Sequence, residues 1–444
     1  MYLPAELWQA VFEQYVTYDV HIFNQSTSYR RRRVRALQAL QPVCRRWRDV
    51  VRPLIYRHPS FEGWHDDNTP RFLHFVDSLD HDDTTDAPKQ SWIQSFVLYR
   101  NALSSVPVPE GATENDEHIV YANALASLIP HLLGMREFVC RVVLRVETFA
   151  LLSDCHAHRL TKLLAVFKTE DLREMLPLLN RFSTLKELQL SALVPDGDVH
   201  EHLSTLEAPE LSSLCVLEII NYNAFTNHVL GWFAKASLPH LREFRVTLDE
   251  EDDPNLHMLS SFLARNGSAL ITLGLHHFPS EFASGSVRRL IGREFFAHTP
   301  HLECIELANH TAKIMTCIPN SVVGVTLKMM RDDFSRTADR MNSTAALAGR
   351  SLHGSKLTRI RVTLEDPHRT PTILSFADCL DKKQTDHQLV KKLLKRAAHL
   401  KERGILFLDD TGTEVTAAII AAGGDIQEIK RAQLDARSLF RWPI

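Results

Sequence analysis

The sequence lacks any apolar run long enough to cross a bilayer, and no apolar signal region stands at its amino terminus. Its seven cysteines have no paired spacing, so we expect reduced core thiols rather than a disulfide framework. These absences predict a cytoplasmic and/or nuclear protein. With 51 Lys and Arg against 54 Asp and Glu, the net charge of -3 gives no general attraction for nucleic acid or membranes.

The sequence also lacks the short motifs that carry common enzyme chemistry. It has no Gly-x-x-x-x-Gly-Lys loop, no Gly-x-Gly-x-x-Gly after a strand and no Gly-x-Ser-x-Gly. Cys155-His156-Ala157-His158 has a ligand-like spacing but no second pair at zinc-finger distance. We therefore expect no catalytic residues, no cofactor, no metal and no enzymatic activity. One alternative stays open, namely an unrecognised site in the weakly patterned residues 99–130 or 405–444.

Residues 1–61 have the spacing of a small helical module. Pro4 suits a first helical turn, and Leu7, Val11 and Tyr15 then recur at i, i+4 and i+8 with Trp8 and Phe12 beside them. A second stripe follows in steps of four and three residues, through Leu40, Cys44, Trp47, Val51 and Leu54. So few helices cannot bury this many apolar side chains internally, which predicts a surface for another protein.

This pattern resembles the F-box, from Leu3-Pro4-Ala5-Glu6-Leu7 and the Val11-Phe12 step to Val43-Cys44-Arg45-Arg46-Trp47-Arg48. An insert at about residues 17–33 is longer than the loop usual in that family. The resemblance implies docking on the Skp-type adaptor of a cullin–RING ubiquitin ligase, with adaptor-binding residues Leu3, Pro4, Leu7, Val11 and Phe12. The alternative is that these residues only form the core of a structural cap.

After an expected acidic linker at residues 62–90, the string Leu-x-x-Leu-x-Leu returns along the chain. Seven copies begin at Leu185, Leu214, Leu241, Leu270, Leu302, Val322 and Leu357, with fainter ones at Phe96-Val97-Leu98 and Phe138-Val139-Cys140. Most intervals match one strand and one helix, and residues 254–266 and 386–403 have helical spacing.

These repeats predict an α/β fold in residues 91–410, with a curved parallel sheet inside and helices outside. The pattern resembles a degenerate leucine-rich repeat, and residues 411–444 are expected to form a carboxy-terminal cap or tail. The alternative is an ordinary α/β domain in which the strings are coincidental.

Alternation along each predicted strand identifies the side chains that point away from the core. We expect these residues to form a candidate substrate face, acidic in the earlier repeats and basic at its end: Glu187, Gln189, Glu218, Glu243, Arg245, Glu306, Lys328, Arg359 and Arg361. Such a face favours a protein of complementary charge. Position by position, the alternative is an ordinary solvated strand residue.

Together the two resemblances imply the substrate-recognition subunit of an SCF-type E3 ubiquitin ligase, with a layout similar to fungal F-box proteins that carry leucine-rich repeats. In this interpretation the F-box binds the Skp-type adaptor, and the repeats bind a protein substrate, without nucleic acid or membrane as partners. The alternative is a repeat-based interaction scaffold without a link to a ligase.

Overall fold

The computed structural model describes residues 4, 7–12, 34, 37–61, 68–80, 89–98, 122–193, 206–220, 225–248, 253–277, 295–308, 318–330, 356–365, 400–408 and 414. They belong to two compact units, Met1–His240 and Leu241–Ile444. We call these the amino-terminal unit and the carboxy-terminal unit.

The amino-terminal unit begins with a helical module. Residues 7–12 and 37–40 are helical, and helix α1 spans Arg45–Tyr56. The N–H of Trp8 donates to the carbonyl oxygen of Pro4 (3.2 Å), so the first turn starts at the proline, as its missing N–H permits. Four buried side chains form the core of the module: Phe12, Leu37, Val51 and Leu54. Trp47 packs against this core, with its ring 4.8 Å from Trp8 and 5.4 Å from Phe12.

The expected second stripe is divided between two helical segments. Residues 41–43 form a turn, because Pro42 has no N–H and disfavours a helical residue before it. Cys44 is extended, and its Sγ accepts a hydrogen bond from the N–H of Trp47 (3.4 Å). Cys44 is therefore an exposed helix cap, which corrects the expectation of a core thiol, whereas Cys140 is buried as expected.

Six strands of the amino-terminal unit pair in parallel and in chain order. They are β1 Ser60–Phe61, β2 Ser95–Leu98, β3 Glu137–Val143, β4 Lys162–Lys168, β5 Glu187–Leu193 and β6 Val216–Ile220. Parallel neighbours need a crossover, and helices lie in these connections. They are α2 Asn68–Asp80 before β2, a helical segment at residues 122–128 before β3, α3 Val146–His156 after β3 and α4 Leu172–Leu178 after β4, while α5 Phe225–Phe233 follows β6.

The register of these strands aligns their inward side chains into one core. Phe96, Phe138, Leu163, Leu188 and Leu217 are successive partners across β2 to β6, and each is fully or almost fully buried. Burial of such large apolar side chains is the main term that holds the unit together, at roughly 1.5–3 kcal/mol each.

Helix α2 lies inside the segment expected to be an acidic linker. Its residues Phe72, Val76 and Leu79 recur at i, i+4 and i+7 and are buried. The ring of Phe72 lies 5.3 Å from that of Phe61, edge to face. The linker prediction is corrected for residues 68–80, because the count of aspartates hid an amphipathic helix.

The carboxy-terminal unit repeats the same arrangement. Strands β7 Glu243–Leu248, β8 Thr272–His277, β9 Cys304–Ala308, β10 Gly324–Met330, β11 Arg359–Glu365 and β12 Leu406–Leu408 pair in parallel in chain order. Helix α6, Asp253–Asn266, connects β7 to β8 and confirms the helix predicted at residues 254–266. It packs through Phe262, whose ring lies 4.4 Å from that of Phe244 on β7.

All seven Leu-x-x-Leu-x-Leu strings supply a strand, and each first apolar residue is buried two positions before its strand. The predicted α/β repeat architecture is therefore confirmed in each unit. The expectation missed β4, because Leu160-x-x-Leu163-x-Ala165 has alanine in the third position, although all three residues are buried. Of the helix predicted at 386–403, residues 400–402 are described and helical, and of the expected cap at 411–444 only Glu414 is described.

Candidate functional site

The outward side chains of the carboxy-terminal unit form aligned rows, because its parallel strands pair in register. One row contains Glu243, Thr272, Cys304, Gly324, Arg359 and Leu406, and the next contains Arg245, Gly274, Glu306, Thr326, Arg361 and Leu408. The alternating residues, such as Phe244 and Ile305, are buried in the core. The fold thus places five predicted candidate residues in two adjacent rows.

Glu306 is the centre of a charged network on this face. Nε and Nη2 of Arg245 donate to its two carboxylate oxygens at 2.9 Å each, which is the bidentate geometry that guanidinium favours. Nζ of Lys328 and Nε2 of His276 each lie 3.6 Å from Oε2 of Glu306. Nη2 of Arg245 also lies 2.9 Å from a carboxylate oxygen of Glu243.

The charged neighbours determine the ionisation of Glu306. Burial alone raises the pKa of its carboxyl, since the side chain is only 15% exposed. The close approach of His276, the hydrogen bonds from Arg245 and the charges of Arg245 and Lys328 outweigh burial. They hold the pKa of Glu306 well below its usual range, so the network contains a carboxylate anion at neutral pH.

Gly274 provides the space that this network needs. Glu306 lies two strands from Arg245, so the arginine side chain must cross β8 at Gly274. A Cβ at position 274 would lie 2.7 Å from Cγ of Arg245 and 3.2 Å from its Cβ. Any side chain in this place would push the guanidinium away from the carboxylate.

Gly324 provides the same kind of space for a second arginine, which reaches β9 from β11. Arg359 on β11 lies over Gly324 on β10, where an added Cβ would be 2.8 Å from Nε of the arginine. Its Nη2 lies 3.6 Å from Sγ of Cys304 on β9. Two arginines therefore converge on β9, each crossing a strand at a glycine.

The two arginines of β11 differ from Arg245 in exposure. Arg359 and Arg361 are exposed, and Arg245 is half-buried with a side chain that is 20% exposed. Within the described residues neither Arg359 nor Arg361 forms an ion pair. In register beside Arg359 lies Leu406, which is 43% exposed.

The outward side of the amino-terminal unit is different. Val97, Val139 and Leu164 of β2, β3 and β4 form a buried apolar cluster there. On β5, Glu187 makes an ion pair with Lys162 of β4, and Gln189 is half-buried beside Glu218 of β6. The row through Val97, Val139 and Leu164 is therefore apolar and closed to solvent, whereas the neighbouring row through Glu137, Lys162 and Glu187 is polar and half-buried.

Sequence reasoning missed three members of the carboxy-terminal network. They are His276, which is buried, and Gly274 and Gly324, which have no side chain that a charge or polarity pattern could identify. A signal was present, since His276 and Gly274 stand two residues apart at outward positions of one strand.

The residues predicted to bind an adaptor divide into two groups. Leu7 is 49% exposed, Val11 is 51% exposed, and Pro4 is exposed, whereas Leu3 lies outside the described residues. Phe12 is only 6% exposed and belongs to the core of the module, which corrects its expected role as a contact residue. One side of the first helix is therefore packed, and Leu7 and Val11, one turn apart, remain open to solvent.

His156, part of the ligand-like Cys-His-Ala-His string, is a buried residue with a hydrogen bond to the backbone. Its Nε2 donates to the carbonyl oxygen of Ile129 at 2.7 Å, and burial lowers the pKa of its imidazole. No group of three side chains suited to hold a metal ion occurs among the described residues. In the same part of the chain, no helix has the length and apolar character needed to span a bilayer.

No family model matches the chain, and no curated protein matches it. Among solved structures, the leucine-rich repeat-containing protein LegL7 of Legionella pneumophila is similar at 11% sequence identity with a TM-score of 0.34. The match covers 76% of this chain and 97% of that protein. The α/β repeat assignment itself rests on the strand order and register of the two units.

Proposed function

We propose that this chain is the substrate-recognition subunit of an SCF-type ubiquitin ligase. Its amino-terminal helical module docks on the Skp-type adaptor, and the outward side of its strands binds a protein substrate. The chain supplies no chemistry of its own. It holds the substrate near the transferring enzyme, which raises the effective concentration to roughly millimolar.

The observation that carries this proposal is the division of the first helix into two sides. Phe12 and Trp8 pack inward on Trp47, which fixes the helix. Leu7 and Val11 then remain exposed, although a helix that served only as a cap gains nothing by leaving them in water. Together with the sequence resemblance to the F-box, these two side chains support the Skp-type adaptor as the occupant.

The exposed side of the module is tested by replacing Leu7 and Val11 with serine in one full-length variant. We expect this variant to lose co-purification with a Skp-type adaptor at least about tenfold, since each buried aliphatic contact is worth roughly 1.5–3 kcal/mol. The measurement is a quantitative pull-down of purified adaptor.

A matched control replaces Leu133 and Met258, which are 50% and 41% exposed at other places in the chain. The Leu133→Ser, Met258→Ser variant should retain the adaptor. Equal retention by both variants would contradict the ligase role and leave the alternative of a scaffold with a structural cap.

A further inference from the structure

Besides Leu7 and Val11, the exposed arginines of β11 form a second candidate binding surface. Arg359 and Arg361 lie on the outward side of one strand, two residues apart. Side chains at i and i+2 on a strand are separated by about 6.6 Å along the strand axis. An extended peptide has the same repeat, so alternate side chains of such a peptide match the two guanidinium groups.

The network around Glu306 does not compete for this role, because its charges are already paired. Both oxygens of Glu306 accept hydrogen bonds from Arg245, and Lys328 lies close to the same carboxylate. Among the described residues, the side chain of Arg359 has only the sulfur of Cys304 at 3.6 Å as a partner, and thiol sulfur is a weak acceptor. In the part of this face that the structure describes, the positive charge without an acidic partner therefore lies on β11.

The neighbouring strand β12 adds apolar area to this charge. Leu406 pairs in register with Arg359, and Leu408 pairs with Arg361. Leu406 is 43% exposed and Leu408 is half-buried. A ligand that covers both strands would meet two guanidinium groups and two leucines in adjacent positions.

From this arrangement we infer that Arg359, Arg361, Leu406 and Leu408 bind an acidic extended segment of a protein partner. Carboxylate side chains at alternate positions bind the two arginines, and the methylene groups of these same side chains contact the leucines. This inference deepens the substrate-binding part of the proposed function and rests on it. Gly324 contributes by letting Arg359 lie flat on the sheet, which limits the freedom that the arginine loses on binding.

The probe is a short fluorescein-labelled peptide in which glutamate alternates with serine, so that all glutamates lie on one side of the extended peptide, titrated against the full-length chain by fluorescence anisotropy. The comparison peptide has glutamine in place of glutamate. We expect the glutamate peptide to bind at least about tenfold more tightly, with affinity that falls as salt rises.

The test variant is Arg359→Glu with Arg361→Glu, which should weaken the glutamate peptide at least about tenfold by replacing attraction with repulsion. The matched control, Arg265→Glu with Arg403→Glu, makes the same change of charge at exposed residues outside the two rows. It should bind as the unaltered chain does. The conservative variant Arg359→Lys with Arg361→Lys should retain most of the affinity.

Three results with the peptides would overturn the inference. They are no binding of the glutamate peptide, equal binding of the glutamine peptide, or equal loss in the two charge-reversal pairs. Tighter binding of a short single-stranded RNA at the same arginines would also overturn it, by identifying a nucleic acid as the partner. Failure of the ligase role is seen separately, because the adaptor pull-down depends on Leu7 and Val11.

Discussion

Glu306 determines the electrostatics of the carboxy-terminal strands at the scale of single residues. It is the one carboxylate within 3.6 Å of three basic side chains in the described part of this unit. Removing one partner of such a network leaves the opposite charge poorly compensated, which is more costly than losing a solvated pair.

The variant Glu306→Gln should lower the free energy of opening of β9 by about 2 kcal/mol at pH 7, because Arg245 then lacks a charged partner. The folded-state pKa of Glu306 is lowered, so its stabilisation is present above the ordinary carboxyl value of 4.5 and is lost as pH falls below it. The difference between the unaltered chain and the variant should therefore shrink below pH 4.5.

Hydrogen exchange of the β9 amides, followed by mass spectrometry over this pH range, measures the effect. Glu303→Gln is the control, because Glu303 is exposed one residue before the same strand and should change stability by less than about 0.5 kcal/mol. Similar exchange in both variants at pH 7 would refute the central role of Glu306.

At the scale of elements, helix α2 turns a segment rich in aspartate into part of the amino-terminal core. Phe72 is fully buried, and its ring lies 5.3 Å from Phe61 on β1 and 6.2 Å from Phe96 on β2. One side chain thereby connects the helix to the first two strands.

Phe72→Ala should destabilise this region by about 3–5 kcal/mol, since it removes a buried ring and leaves a cavity. Limited proteolysis with a broad-specificity protease measures the result as faster cleavage in residues 68–80. Arg71→Ala changes an exposed neighbour and should leave the rate almost unaltered. An unchanged rate in Phe72→Ala would mean that the segment behaves as a linker after all.

Sequence patterns predicted the repeated elements well, because a strand that is buried on one side needs apolar residues at fixed positions. Leu185, Leu188 and Leu190 have this spacing and are all buried, and six further strings behave likewise. Strand β4 was not predicted, because Ala165 stands where the other strings have a larger apolar residue. Helix α2 was not predicted, because the aspartates of its segment were weighed above the helical spacing of its apolar residues. Pro42 indicates a helix break in the sequence, but the regular apolar spacing through Cys44 favours one continuous helix, and the structure has the break.

The network of Glu306 was only partly predictable, because it depends on neighbours far apart in the chain. Alternation identified Arg245 and Glu306 as outward residues, but their contact requires the register of β7, β8 and β9. Burial of His276 and the crossing at Gly274 follow from the same register, which no local pattern contains.

At the scale of the whole molecule, the two proposed binding surfaces belong to different compact units. Leu7 and Val11 lie in the amino-terminal unit, and Arg359 and Arg361 lie in the carboxy-terminal unit. Substitutions at such separate sites, without shared partners, are expected to act additively.

We therefore predict that Leu7→Ser with Val11→Ser leaves the affinity for the glutamate peptide unchanged within about twofold, and that Arg359→Glu with Arg361→Glu leaves adaptor retention unchanged. Anisotropy and the pull-down, each applied to both variants, measure this. Loss of both activities in either variant would show that the substitution had damaged the fold rather than a surface.

The crossing of Gly274 by Arg245 links three consecutive repeats through a single guanidinium. Replacing the arginine, the glycine or the glutamate alone would break this contact, so we expect the three residues to change together in related chains. Related chains should keep the trio intact or lose all of it, and that concerted pattern offers a fingerprint for recognising distant relatives whose leucine spacing has faded.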